Sequence, residues 1–204
     1  MRYLLATLAL SCGLATAGQK SSPAAFTIVM IGDVPPPMVL HVMERETESA
    51  LTPTAGSLDW KLGTRVAPIV AGPMAVIHMR GNCGLQGSAI KESAPVGSGI
   101  QLGVTHIANG RILPIADVFC DSVRASVARD LSAARAEFRE QLWGRALGRV
   151  LAHELYHVLL QTTDHGDTGI SRAAQTGADL LGPRNSFAAS EVQRFAHAFD
   201  VPAE

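Results

Sequence analysis

Charge is scarce in this chain, at 17% of 204 residues, and nearly balanced, with 17 Lys and Arg against 18 Asp and Glu for a formal net charge of −1. A surface of that kind offers no electrostatic capture of nucleic acid or of an anionic membrane. Long apolar runs are missing too: no stretch approaches the roughly eighteen uninterrupted apolar residues that a spanning helix needs. Internal repeats and long low-complexity tracts are absent, and the Gly/Ser/Pro-rich piece Gly87 to Gly99 reads as a mobile loop rather than a linker. Cysteine is limited to three residues, none in a C-x-x-C pair, which argues against a cysteine-built zinc site.

The first residues run from a charged start, Met1-Arg2, through an apolar core, Tyr3 to Leu10, to small residues ending Ala15-Thr-Ala17. That order is the layout of a signal peptide over 1–17, cut after Ala17, and it directs the mature chain to a secreted or periplasmic location. Cys12 would allow a lipid anchor, but Ala9-Leu10-Ser11 is a poor lipobox, so a soluble mature form is preferred. Cleavage removes Arg2, takes the formal charge from −1 to −2, and leaves Cys83 and Cys120. In an oxidising compartment such a pair is most simply one disulfide, with two separate buried thiols as the alternative. With 47% apolar residues the remaining chain has ample material for one core and too little for a second, so 18–204 is expected to be a single domain.

What the chain does contain is His153-Glu154-Leu155-Tyr156-His157, the HExxH pattern, followed by His165 in a glycine-containing turn. On a helix, positions i and i+4 lie about 40° apart around the axis and about 6 Å along it, so both imidazoles can reach one ion. Glu154 beside them is free to act as a base on water held by that ion. Upstream, Leu142, Ala146, Val150, His153 and His157 form one stripe, with Arg145 and Arg149 falling away from its centre. Gly144 and Gly148 weaken helix propensity but let another element approach closely, so a tightly packed central helix is expected.

His153, Glu154 and His157 resemble the active-site helix of the zincin metallopeptidases, and the histidine after the helix is similar to that of their metzincin branch. In that branch a glycine breaks the helix three residues after the second histidine, a third histidine follows three residues later, and a methionine-containing turn lies beneath the metal. Here those two positions hold Leu160 and Thr163, His165 comes two residues late, and no methionine follows Met79. The resemblance is therefore to zincins generally, over about a dozen residues. It implies an α+β, zincin-like fold, a mixed sheet packed on helices around a central HExxH helix. It also implies an edge strand that pairs with an extended peptide substrate.

Geometry favours His165 as the third ligand. Were the helix to continue, His165 would lie about 12 Å along the axis from His157, so the chain must turn back. Gln161 to Gly169 supplies the means through Thr and Asp, which compete for backbone hydrogen bonds, and through Gly166 and Gly169, which permit left-handed conformations. A helix end near Leu160 to Thr162 follows. Rival third ligands are Asp164, Asp167, Asp179 and Glu191, with Asp179 the best of them, although acidic residues there are more often helix caps or solvated groups.

A coarse pass predicts a strand over 25–31, a helix over 38–51 with Glu44, Arg45, Glu46 and Glu48 on its solvated face, and strands over 57–62 and 74–79. The hairpin Gln101 to Ala108, Asn109-Gly110, Arg111 to Phe119 is the clearest element, because Asn-Gly suits a two-residue type I′ turn. His78 and His106 are read as strand residues. A helix is expected from about Leu131 to the metal site, and a tail helix over 190–199 with Val192, Phe195, Ala196 and Phe199 inward and His197 outward. Tyr156 points away from the paired histidines and is assigned to packing.

The expectation is a secreted or periplasmic zinc peptidase acting on a peptide or protein substrate, with no nucleic acid and no membrane span. One Zn2+ per chain sits on His153, His157 and His165, with water in the open position and Glu154 as general base. Two other readings remain open: a binding module whose zinc is structural, and a zinc hydrolase acting on a substrate other than a peptide.

Overall fold

Period-two burial marks the central strand β3 (Met74–Arg80), whereas β1 (Phe26–Gly32) beside it is buried over five consecutive residues. In β3 Ala75, Ile77 and Met79 are buried while Val76 and His78 between them are half buried, so one face of the strand is dry. The computed structural model describes residues 26–51, 57–63, 72–85 and 100–199. The leader with Cys12 and the Gly87 to Gly99 piece lie outside the described residues. β1, β2 (Leu58–Leu62), β3, β4 (Gly103–Ala108) and β5 (Arg111–Phe119) form a five-stranded mixed sheet in the order β2-β1-β3-β5-β4. Only β4 pairs antiparallel, because the Asn109-Gly110 turn takes positive φ at both residues, 50° and 73°, and closes a tight hairpin. Parallel neighbours need a crossover, and α1 (Pro37–Leu51) supplies it between β1 and β2. The result is the α+β class that the element order predicts, with β4 at an edge.

α2 (Cys120–Ala133) and α3 (Ala136–Leu160) follow β5 directly. The helix expected to start near Leu131 is thus two helices, broken where Ala134 and Arg135 adopt extended ψ of about 145°. α2 begins eleven residues earlier than expected because Cys120, Val123, Val127 and Leu131 recur at helical spacing and bury against the core. α3 is the helix on which the fold is built. From Trp143 to Val158 only Arg145 and His153 are not buried, so the single inward stripe expected from sequence is replaced by burial all round. A Cβ on Gly144 would sit 2.7 Å from the Val39 carbonyl oxygen, and one on Gly148 would sit 2.7 Å from that of Met43. These two glycines let α1 lie almost backbone to backbone on α3.

That contact explains two departures from the expected polar face of α1. Glu46 accepts from Arg149 Nε at 2.8 Å, and Arg149 is 2% exposed rather than displaced from the buried face. Glu48 accepts from Trp60 Nε1 at 2.8 Å, tying α1 to β2. Thr47 is fully buried between the helices and donates to the carbonyls of Met43 and Gly148. A buried guanidinium without its carboxylate is strongly destabilising, so Glu46 is a structural residue and not a solvated one.

Cys83 and Cys120 are joined, with Cα atoms 5.1 Å apart and a sequence separation of 37. The bond ties the end of β3 to the start of α2. The same corner is held by Trp143 Nε1, which donates to the Cys83 carbonyl at 2.8 Å. Replacing both cysteines by serine should cost about 2–4 kcal/mol through the loop-closure entropy returned to the unfolded chain. Urea unfolding of the mature protein measures it; an unchanged midpoint would mean that packing alone closes the corner. Among the described residues no helix is long and apolar enough to cross a membrane.

Candidate metal centre

His153 and His157 occupy one turn of α3, and the chain must reverse to bring a third group back to them. Gln161 does this: it adopts the left-handed conformation, φ 48°, and its N–H bonds back to the His157 carbonyl. The reversal expected of glycine is therefore made by glutamine, whose side chain also donates to the Val158 carbonyl at 2.8 Å. Gly166 has another duty, since a Cβ there would meet Ser171 Oγ at 2.3 Å as the segment crosses itself. His165 returns with its ring 5.3 Å from that of His153 and 4.8 Å from that of His157, centroid to centroid.

One donor nitrogen from each of His153, His157 and His165 lies within 4.8 Å of the others. His153 Nδ1–H donates to the Ile170 carbonyl at 2.7 Å and His157 Nδ1–H to the Thr162 carbonyl at 2.8 Å. Those bonds assign the proton to Nδ1 in both rings. Both Nε2 atoms therefore present lone pairs, and they face each other 3.2 Å apart. Facing lone pairs repel unless a cation sits between them. Burial also pushes His153 down to about 4 and lowers His157, so both imidazoles are neutral at pH 7, the form that ligates a metal. The donor set fits a transition-metal ion such as zinc.

Glu154 lies on the neighbouring face of α3, 4% exposed. Its Oε2 accepts from Thr105 Oγ1 on β4 at 2.8 Å, and the same hydroxyl lies 3.1 Å from the Glu154 carbonyl. Gly103, two residues along β4, leaves the space for Oε1: a Cβ there would come within 2.5 Å of it. Burial pushes the carboxyl up to about 7; the Thr105 hydrogen bond offsets part of this and the Asp117 charge adds to it. A carboxyl raised in this way destabilises the fold when ionised. Metal-free Glu154→Gln should melt above metal-free wild type at pH 8, with the gap narrowing as pH falls through 7 and closing near 4, where both folded and unfolded Glu154 are protonated. A pH-independent gap in calorimetry would reject burial as the cause.

The rival ligands lie elsewhere. Asp179 belongs to a capping box with Thr176 at the start of α4 (Gly177–Leu181) and pairs with Arg172 at 3.3 Å. Glu191, in α5 (Ala189–Phe199), accepts from the Ala188 N–H at 2.8 Å. Asp164 and Asp167 are exposed, and among the described residues neither joins the histidine cluster. No family model, no curated protein and no solved structure matches this chain. The site's chemistry is therefore read from its own geometry.

A cavity of about 610 Å³ holds His153, Glu154, His157 and His165 on one side. Gly103, Thr105 and Ile107 of β4 also line it, as do residues Arg172 to Thr176. Several of these residues carry no signal in the sequence. Gln175 donates to the Ile170 carbonyl at 2.7 Å, the same oxygen that orients His153, and so stiffens the support of that ring. Tyr156 is buried as expected, stacked on Phe187 at 5.6 Å and edge-on to Phe195 at 6.2 Å. Phe195 is inward and Val192 half buried; the side chains of Ala196, His197 and Phe199 are outside the described residues. His78 and His106 are strand residues, each near Asp117, at 3.3 and 3.2 Å, with Arg80 on the same carboxylate at 3.1 Å.

Proposed function

We propose that this chain is an exported, zincin-like zinc peptidase that hydrolyses peptide bonds with Glu154 as general base. The observation that carries this reading is the pairing of three convergent histidine nitrogens with a buried carboxylate that is not one of them. Among the described residues no fourth His, Cys, Asp or Glu joins the cluster, which favours an open coordination position over a closed structural site. The disulfide fits an oxidising compartment, in keeping with the leader read from the sequence. Among the described residues β4 has one strand neighbour, β5, and its other edge would receive an extended peptide along the cavity.

Bound zinc supplies Lewis acidity, which acidifies water and polarises the carbonyl under attack. The remaining steps belong to the chain. Glu154 takes a proton from water as its oxygen adds to the carbonyl carbon, then returns that proton to the nitrogen as the C–N bond breaks. Thr105 holds the carboxylate against β4 so that it keeps one orientation through both transfers. Purified mature protein loaded with zinc should cleave an unstructured protein such as casein, with loss on chelation and return on zinc addition. A zinc-loaded, folded protein that leaves a broad peptide library intact would sink the reading and leave a structural-zinc module in its place.

A further inference from the structure

Among the described residues, Arg172 and Glu154 are the only Lys, Arg, Asp or Glu side chains that line the cavity. Most of the remaining wall is apolar or uncharged, including Ile100, Leu102, Val104 and Val150. Arg172 immediately follows the turn whose Ile170 carbonyl holds His153, so its position is coupled to that of the metal cluster. Its side chain is 41% exposed, and its one ion pair among the described residues is a single contact, Nη1 to Asp179 Oδ2 at 3.3 Å. That oxygen is already occupied at shorter range by the Thr176 N–H and hydroxyl, at 2.8 and 2.7 Å.

Arg145 and Arg149 share Glu46, and Arg149 also donates to the Asp179 carbonyl oxygen, so of the three guanidinium groups in this region it is Arg172 that lines the cavity. A guanidinium with one nitrogen engaged keeps N–H donors in the fork geometry that matches a carboxylate.

We propose that Arg172 is a specificity-determining residue that binds a carboxylate of the substrate close to the cleaved bond, an inference that rests on the peptidase reading above. Arg172 lines the same cavity as Glu154 and the three histidines, so the carboxylate belongs to a residue close to the bond that breaks. Two sources share this chemistry: an Asp or Glu side chain, and the free carboxy terminus of a short peptide.

Zinc-loaded mature protein is to be given matched peptides that differ only as Asp against Asn or Glu against Gln at each flanking position, each with a free or an amidated carboxy terminus. Wild type should favour the carboxylate member by at least roughly tenfold in kcat/KM, the size expected of one charge-assisted hydrogen-bonded pair. A preference that follows the side chain identifies the first source, and one that follows the terminus identifies the second. In Arg172→Gln the ratio should fall to about one, and in Arg172→Lys it should largely survive; zinc content and circular dichroism report that each variant is folded. Peptides cleaved with no carboxylate preference, or a preference that persists in Arg172→Gln, overturn the inference and leave the peptidase reading intact. Should no peptide be cleaved, the peptidase reading fails, and the ratio is then read as Kd by fluorescence anisotropy on the same peptides with the Glu154→Gln variant. Equal Kd for acid and amide peptides also overturns the role of Arg172.

Discussion

His157→Ala should leave the purified protein without stoichiometric zinc. The residue is 8% exposed, its Nδ1–H is anchored on the Thr162 carbonyl, and its Nε2 is the atom that faces His153. Removing it takes away a ligand that the fold already holds in place, so the remaining pair must bind with less enthalpy and no better preorganisation. Mutating partners outside the ligand shell already lowers metal affinity 10–100-fold, and loss of a ligand should exceed roughly 100-fold. Elemental analysis after dialysis against a weak chelator reads the outcome, about one zinc per chain in wild type against a small fraction in the variant. Full retention would remove His157 from the site. His165→Ala should also lose affinity, since it leaves two protein ligands where catalytic sites have three.

Glu154→Gln separates catalysis from metal binding. Its amide preserves the volume beside Gly103 and can still accept from Thr105, so the fold and the histidine cluster should persist with zinc bound. What disappears is the group that exchanges protons with water, with an expected fall in kcat of about 10²–10⁴-fold. KM should change little, because both proton transfers assigned to Glu154 belong to the chemical step and not to peptide binding. A variant that loses its zinc would make Glu154 a ligand, and one that keeps full activity would assign the proton transfer to another residue. The pair of experiments divides neighbouring residues on one helical turn into ligands and base.

Much of the fold was legible because it rests on local rules. Asn109-Gly110 specifies a tight hairpin through the backbone freedom of those two residues, and period-two burial in β3 follows from which side chains prefer to leave water. The division between α2 and α3 was not legible: no proline or glycine stands at Ala134 and Arg135, where the backbone turns extended and lets the two helices pack on each other. Arg149 illustrates the same limit. Its charge predicts exposure, yet close packing of α1 and α3 at Gly148 places Glu46 2.8 Å away and makes burial tolerable.

At the site, the sequence by itself determined that His153 and His157 share a helical face, that Glu154 stands beside it, and that the chain must turn before His165, because helix geometry sets those relations without outside help. Only the tertiary structure decided which nitrogen each ring presents, since Ile170 and Thr162 offer their carbonyls to Nδ1 across loops of no fixed sequence spacing. It alone decided that Thr105 and Gly103 receive the Glu154 carboxyl, a contact 49 residues long from Thr105 that depends on where the sheet edge meets the helix, and that Arg172 shares its cavity. Short-range periodicity carries the candidate ligands; long-range packing sets their tautomers and what can approach them.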